Sequence, residues 1–424
     1  NKSDSERMAG MLLHFGYSRT EEPKKADLLI INTCSIRQLS EDKAYSYVGV
    51  WSKWKKSNPN LKIAISGCVA QQKNENLLKR FPEVDLVMGP RSYYRLPSLI
   101  KKINQGERIC DTSDALDEKE NDYSINRISG YNAWVPISEG CNNFCTYCIV
   151  PYVRGRERSR SIKVIKKEVI NALNQGYKEI TLLGQNVDSW GKDFEDKSMR
   201  LGKLLRELNS LDYKFRIRFV TSYPTDITDE LIETAIELNK VCEYFHIPMQ
   251  SGSTPVLKAM NRRYTTSDYL KIIDYARSKK PDFSFTTDLI VGFPGETEEE
   301  FNMTKDIIKR VGYDNIYSFV YSRRSGTPAA NMPDDTDDKT KGLRLRELLL
   351  EQRENIEKLF SRFIDKDITV LVEGAGRQMS LTGKNTENII VEFDGDESLI
   401  GEFVTVRINK TANWALFGEL TEKG

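Results

Sequence analysis

Apolar and polar positions along the chain fall into blocks that read as strands and helices taking turns. Short apolar runs occupy 26–34 (ADLLIINTC), 61–68 (LKIAISGC) and 84–89 (VDLVMG), with amphipathic stretches such as SERMAGMLLHFG and QKNENLLKRF beside them. This alternation predicts an open parallel sheet flanked by helices, in which ligands gather outside the carboxyl ends of the strands. Cys34 and Cys68 each close a predicted strand, so both are expected on that rim. A longer series follows: NAWVPI (132–137), EITLLG (179–184), FRIRFVTS (215–222), YFHIPM (244–249), SFTTDLIVG (284–292) and NIYSFVYS (315–322), with helical patterns between them. Six βα units in succession predict a barrel-like parallel sheet, closed or partly closed, whose chemistry sits on the loops after the strands.

Between the two series, DTSDALDEKENDYSINRI (111–128) is polar, acidic and without apolar periodicity, which marks a domain boundary. Beyond the second series a charged helix, LRLRELLLEQRENIEKLFSRF, leads into about five short strands with turn residues between them, the pattern of a small β-barrel of the oligonucleotide-binding kind. The expectation is an α/β protein of three domains, 1–112, 128–360 and 361–424, since 424 residues exceed one ordinary core.

Composition narrows the chemistry. Lys plus Arg (63) and Asp plus Glu (62) nearly balance, so any basic site has to be local. No apolar run approaches the roughly 18 residues that span a bilayer, and the opening NKSDSERMAG has no charged-then-apolar leader; a cytoplasmic protein with no membrane partner is expected. Seven cysteines, an odd number, suit a reducing compartment, and with only His14 and His246 available a metal site has to rely on sulfur.

Cys141, Cys145 and Cys148 have the spacing C-x3-C-x2-C on the loop after the first strand of the second series. A structural zinc site takes four ligands, and no fourth Cys or His is near in sequence, so zinc would need a distant donor. Three thiolates suit a cubane iron–sulfur cluster with one iron left open. The third possibility, cysteines that merely fill a core, fits poorly with three in eight residues.

This spacing at the head of a (βα)6 array resembles the radical S-adenosylmethionine (SAM) superfamily. The resemblance implies a 4Fe-4S cluster on Cys141, Cys145 and Cys148, whose open iron chelates SAM and whose electron cleaves it to a 5′-deoxyadenosyl radical. NTCSIR (32–37) and SGCVAQ (66–71) resemble two cysteine motifs of the methylthiotransferase family, which implies a second, sulfur-carrying 4Fe-4S cluster on Cys34, Cys68 and a third cysteine expected just upstream of Asn1. NTCSIR together with CTYCIVPYVRGRERSR resembles the branch that adds a methylthio group to C2 of N6-isopentenyladenosine at position 37 of tRNA, while FHIPMQSGSTPVLKAMNRRYT and TDLIVGFPGETEEEF resemble the family's radical domain and the last domain resembles TRAM. The implied partners are the anticodon stem-loop and an electron donor such as flavodoxin or ferredoxin, with a monomeric enzyme. Alternatives left open are a sister enzyme acting on threonylcarbamoyl-adenosine or on a ribosomal-protein aspartate, and a zinc protein that binds RNA without catalysis. The family often has prolines where this chain has Arg323 and Ser325.

Further candidates come from placement. Gln185, Asn186, Ser222, Gln250 and Asp288 lie at or near strand ends and are expected to cradle the cofactor. Arg154, Arg156, Arg158 and Arg160 alternate, so an extended segment would present all four to one phosphate run, although such runs are often only solvated surface. From residue 362 onward seven basic and eleven acidic residues give a net −4, which opposes bulk electrostatic RNA binding by the last domain. Trp414 and Phe417 are there either stacking surfaces or core. Cys110 and Cys242 are expected to be structural.

Overall fold

The computed structural model describes residues 1–35, 38–113 and 123–423. The last two residues of NTCSIR and half of the expected boundary segment, 114–122, lie outside these. The first unit is a parallel sheet in the order β1 (Leu28–Thr33), β2 (Lys62–Gly67), β3 (Leu86–Met88), β4 (Ile109–Asp111). The last of these strands was not among the three expected, because three residues in ERICDT carry too little apolar pattern to stand out. Helices Gln38–Ser57 and Leu96–Asn104 cross between strands, and Lys2–His14 buries Met8 and Met11 against Leu96, Leu99 and Ile103.

The second unit contains β5 (Asn132–Pro136), a two-residue ribbon of β6 (Ser138–Glu139) with β7 (Arg158–Ser159), and then β8 (Glu179–Leu183), β9 (Arg216–Phe219), β10 (Tyr244–His246), β11 (Ser284–Val291) and β12 (Asn315–Val320). β5, β8 and β9 form one parallel sheet, and β10, β11 and β12 another. The two are stitched by backbone bonds, Cys242 N–H to the Ile217 carbonyl (2.8 Å) and Ser222 N–H to the His246 carbonyl (3.2 Å). No ladder joins β12 back to β5 among the described residues, so the curved sheet is a partial barrel open on that side. Its outward face is apolar, with Val135, Ile180, Leu182, Ile217, Phe285 and Leu289 packed under the helices. Thr297 and Glu300 form a capping box at the start of Glu298–Val311, one of the sequence signals that mark these helices.

The third unit is a closed five-stranded barrel, β13 (Asp367–Ala375), β14 (Leu381–Lys384), β15 (Ile390–Asp394), β16 (Phe403–Ala412) and β17 (Ala415–Lys423), ordered β13-β14-β15-β17-β16. It docks on the amino-terminal ends of the partial-barrel strands: Arg216 Nη1 donates to the Lys384 carbonyl (2.8 Å) and Arg218 Nη2 to the Asn385 carbonyl (3.0 Å). Glu179 neutralises both arginines; burial alone would raise its carboxyl, but Arg218 and Arg216 bring it down to about 2. Phe417 is core, whereas Trp414 is half-buried with the Arg377 guanidinium 5.4 Å above its ring. No helix among the described residues is long and apolar enough to cross a membrane.

Candidate active site

The three cysteines lie on the loop that leaves β5, at the carboxyl-terminal rim. Gly140 starts the loop at φ +79, and a Cβ there would sit 2.2 Å from the Arg156 carbonyl oxygen, so the close return of the chain requires glycine. The Gly140 N–H donates to Gln185 Oε1 (2.6 Å), and the Cys141 N–H to the Gly155 carbonyl (3.2 Å). From the far side, Asn261 Nδ2 donates to the Phe144 carbonyl (2.9 Å) and the Thr146 N–H to the Met260 carbonyl (3.0 Å). The loop is thus fixed on both flanks. Burial pushes the Cys141 thiol up to about 11 and the Cys148 thiol up to about 12, so a metal's positive charge is needed to favour their thiolates.

Whether these donors suit a cluster can be read from Arg262, which the sequence reading did not single out. Its buried guanidinium donates to Cys145 Sγ (3.6 Å), to Tyr264 Oη (2.8 Å) and to the Pro248 carbonyl, and it stacks on Tyr223 at 4.4 Å; among the described residues no carboxylate pairs with it. A buried cation without a carboxylate calls for negative charge from the sulfur side. A cubane takes one thiolate on each of three irons and so suits three cysteines with an adjacent cation.

The other predicted cysteines reach the same rim from the first unit. Cys68, in the turn after β2 where Gly67 adopts φ +93, packs against Ile149 and Val153, directly after the triad. Burial would weaken the Arg154 charge, but Asp4 and Cys68 reinforce it. Cys34 follows β1 near Arg324, where burial weakens the guanidinium charge more than Glu41, Cys34 and Asp42 restore it. Gln72 Nε2 donates to the Ser325 carbonyl (3.0 Å), tying the loop that carries Arg323 and Ser325 to the first unit. Cys242 is buried away from both sets, under Arg218 and Arg216, and Cys110 is half-buried in β4.

The arginine segment corrects the expectation of one extended face. Pro151 sits in the first turn of a helix, Val150–Arg154, and Gly155 reverses the chain at φ +71 before β7, so alternation in sequence does not become a shared face. Arg154 is buried on Asp4 (2.8 Å), and Arg160 on Glu168 (2.9 Å) and the Pro136 carbonyl. Only Arg156, over the Phe144 ring at 4.6 Å, and Arg158 are exposed.

The polar strand-end residues do not form one cradle. Gln185 is committed to the cysteine loop. Asn186 donates to Asp226 and keeps a buried Oδ1 with no partner among the described residues; Ser222 Oγ donates to Asp188 Oδ1 (3.1 Å). Burial, assisted by Asp226, pushes the Asp188 carboxyl up to about 8. Gln250 bridges to β11, donating to the Asp288 carbonyl and accepting from Ile290, in a positive-φ conformation. Asp288 faces the barrel interior beside His246 (3.4 Å).

A partial barrel with a three-cysteine loop on its rim defines a radical SAM protein: the radical SAM superfamily pattern matches residues 135–308, the uncharacterized protein family UPF0004 pattern residues 1–89, and the TRAM domain pattern residues 362–421. The tRNA-2-methylthio-N(6)-dimethylallyladenosine synthase of Thermoanaerobacter sp. (strain X514) is 46% identical over 428 residues, covering 100% of this chain and 90% of the relative. That of Acetivibrio thermocellus is 44% identical over 425 residues, covering 99% and 88%. The chain belongs to this family of radical SAM methylthiotransferases. In fold it is similar to the radical SAM methyltransferase TsrM from Kitasatospora setae, with a TM-score of 0.55 at 12% identity over 76% of this chain and 66% of that one.

Proposed function

We propose that this enzyme adds a methylthio group to C2 of N6-isopentenyladenosine (N6-dimethylallyladenosine) at position 37 of tRNA, next to the anticodon. Cys141, Cys145 and Cys148 would hold a 4Fe-4S cluster that supplies the electron for SAM cleavage; Cys34 and Cys68, with a third thiolate from outside this sequence, would hold a second cluster that supplies sulfur. The observation that carries the reading is the meeting of the two cysteine sets: Cys68 packs on Ile149 and Val153 at the carboxyl-terminal mouth of the barrel.

The chain's own residues position and shield. Gln185, Asn261 and the Met260 carbonyl fix the cysteine loop, Arg262 offsets negative charge on its sulfurs, and the first unit covers the mouth against water. Arg156 and Arg158 offer exposed charges beside the mouth for the phosphates of the anticodon stem-loop. A flavodoxin or ferredoxin as reductant, and a monomeric cytoplasmic enzyme, complete the reading.

The test uses anaerobically purified protein including the residues that precede Asn1. Iron and acid-labile sulfide are measured beside a Cys141→Ala/Cys145→Ala/Cys148→Ala variant, and nucleosides are analysed by mass spectrometry after incubating isopentenylated tRNA with SAM and reductant. About eight irons and eight sulfides, halved in the variant, with a methylthio gain on the nucleoside, are expected. One zinc without sulfide, or an unmodified nucleoside, overturns the reading.

A further inference from the structure

The inward face of the partial barrel carries a hydrogen-bonded chain that the cysteine site does not use. Tyr244 Oη and Thr286 Oγ1 are 2.8 Å apart, Thr286 Oγ1 and His246 Nδ1 are 2.9 Å apart, and His246 Nε2 lies 3.4 Å from Asp288 Oδ2. The parallel pairing of β10 and β11 builds this order, because His246 is level with Thr286, and Asp288 is the next inward residue along β11. In the tautomer in which Thr286 Oγ1 donates to Nδ1, Nε2 is the ring nitrogen on the Asp288 side. One carboxylate oxygen, Oδ2, lies on that imidazole side. The other has no partner among the described residues, and the Asp288 side chain is 30% exposed.

The surroundings of that oxygen suit a flat heterocycle. Tyr317 is level with Asp288 on β12, the strand bordering the open side of the barrel; its ring is 40% exposed and meets His246 edge-on at 5.8 Å. The next inward residue above Asp288 is Ile290, about 7 Å further along the strand, and it packs against the same cluster of Val256, Met260 and Phe293 as Tyr147, the neighbour of Cys148. Below, Arg216 and Arg218 close the barrel against the 384–386 loop. A base entering from the open side meets a free aromatic face, an oriented acceptor, and the cysteine loop one layer above.

We propose that Asp288, positioned by the Tyr244–Thr286–His246 chain, accepts the N6 hydrogen of a flipped-out adenine that stacks on Tyr317. An N6-monoalkylated adenine keeps one such hydrogen, and a carboxylate that receives it fixes the ring about the edge opposite its sugar. Asp288 is therefore reassigned from cofactor to substrate. The inference rests on the methylthiotransferase reading above, and wild-type turnover on the isopentenyl stem-loop is the control that tests that reading separately.

The experiment compares wild-type holoenzyme with Asp288→Asn, His246→Gln and Tyr317→Leu on two anticodon stem-loops, one bearing N6-isopentenyladenosine and one bearing its N6-methyl derivative, which has no N6 hydrogen. Methylthiolated product and 5′-deoxyadenosine are both quantified. Asp288→Asn is expected to lower kcat/KM for the first stem-loop about 10- to 100-fold, and wild type is expected to lose a similar factor on the second. Asp288→Asn should lose little more there, because the same hydrogen bond is removed twice. In all three variants 5′-deoxyadenosine released per product should rise, since the radical is made beside a misplaced base; general damage lowers both together. Tyr317→Leu should act mainly on KM. The inference is overturned if the two penalties multiply, if Asp288→Asn turns over like wild type, or if 5′-deoxyadenosine falls in step with product, which would return Asp288 to the cofactor.

Discussion

Glu168 joins the first unit to the partial barrel, and Glu168→Gln measures how firmly. Its carboxylate receives Arg7 Nη2 at 2.6 Å from the Lys2–His14 helix, Arg160 Nη2 at 2.9 Å from the segment after the cysteine loop, and Arg127 Nη2 at 3.2 Å from the connection between the units. Burial would raise the carboxyl, but Arg7, Arg160 and Arg127 outweigh it and hold it below the usual range. Breaking a buried pair by removing one charge costs about 3–5 kcal/mol. Glutamine keeps an acceptor oxygen worth about 1 kcal/mol, so about 2–4 kcal/mol should be lost at pH 7. Because the chain has several units, the loss belongs to opening of this interface rather than to global unfolding. Native-state hydrogen exchange should show amides of Lys2–His14 exchanging about 30- to 1000-fold faster, with those of the small β-barrel unchanged. A carboxyl lowered in the folded state contributes its stability above the unfolded value of about 4.3 and loses it as pH falls through the folded value. The gap between wild type and variant should therefore close on acidification below that region. Exchange within twofold of wild type at pH 7, or a gap that widens in acid, would refute this account.

The arginine correction predicts unequal salt effects: Arg156→Ala and Arg158→Ala should each reduce the slope of log affinity for tRNA against log salt by about 1, whereas Arg154→Ala, buried on Asp4, should leave it unchanged, and equal slopes would contradict the burial. Gly140→Ala forces a Cβ to 2.2 Å from a carbonyl at φ +79, at a cost of at least about 2 kcal/mol; iron bound at the triad should fall while the Cys34–Cys68 share is kept, and full loading would show that the loop tolerates a side chain. Arg262→Gln removes the positive charge beside Cys145, so the midpoint potential of a cluster there should become more negative in an electron paramagnetic resonance titration; an unchanged potential would mean that Arg262 is only a packing residue.

Sequence and structure agree where the signal is local. The triad is legible because its three cysteines lie within eight residues, and the six inner strands because each is a short local run rich in apolar residues. The small barrel is legible for the same reason: its turns separate five recognisable runs. What failed needed either an assumed backbone or a distant partner. Reading the arginines at period two assumed an extended chain where Pro151 and Gly155 impose a helix and a reversal. Gln185 looked like a cofactor ligand because nothing in GQN reveals Gly140, 45 positions away. Arg262 sits 117 positions from Cys145, and its only sequence cue was the adjacent pair Arg262–Arg263.

Backbone strain gives independent support for where the chemistry sits. Of the described non-glycine residues with positive φ, four are Asn or Asp, which tolerate it through local hydrogen bonds; the other three are Phe144 (+49°), Thr221 (+76°) and Gln250 (+73°). A β-branched threonine there is costly, at about 1–3 kcal/mol, and stability alone gives no reason to choose it. All three lie on the carboxyl-terminal rim, one inside the cysteine loop and one after each of two strands facing it. Each is held by bonds from another element: the Phe144 carbonyl by Asn261, the Thr221 carbonyl by the Val187 N–H (3.0 Å), and Gln250 through both its N–H and its carbonyl to β11. A fold that concentrates its unfavourable conformations in one place, and braces each from outside, maintains a shape there that local preferences oppose. That place contains the cysteines and Arg262, so the strain marks the same region that the thiols and the buried charge mark by their chemistry.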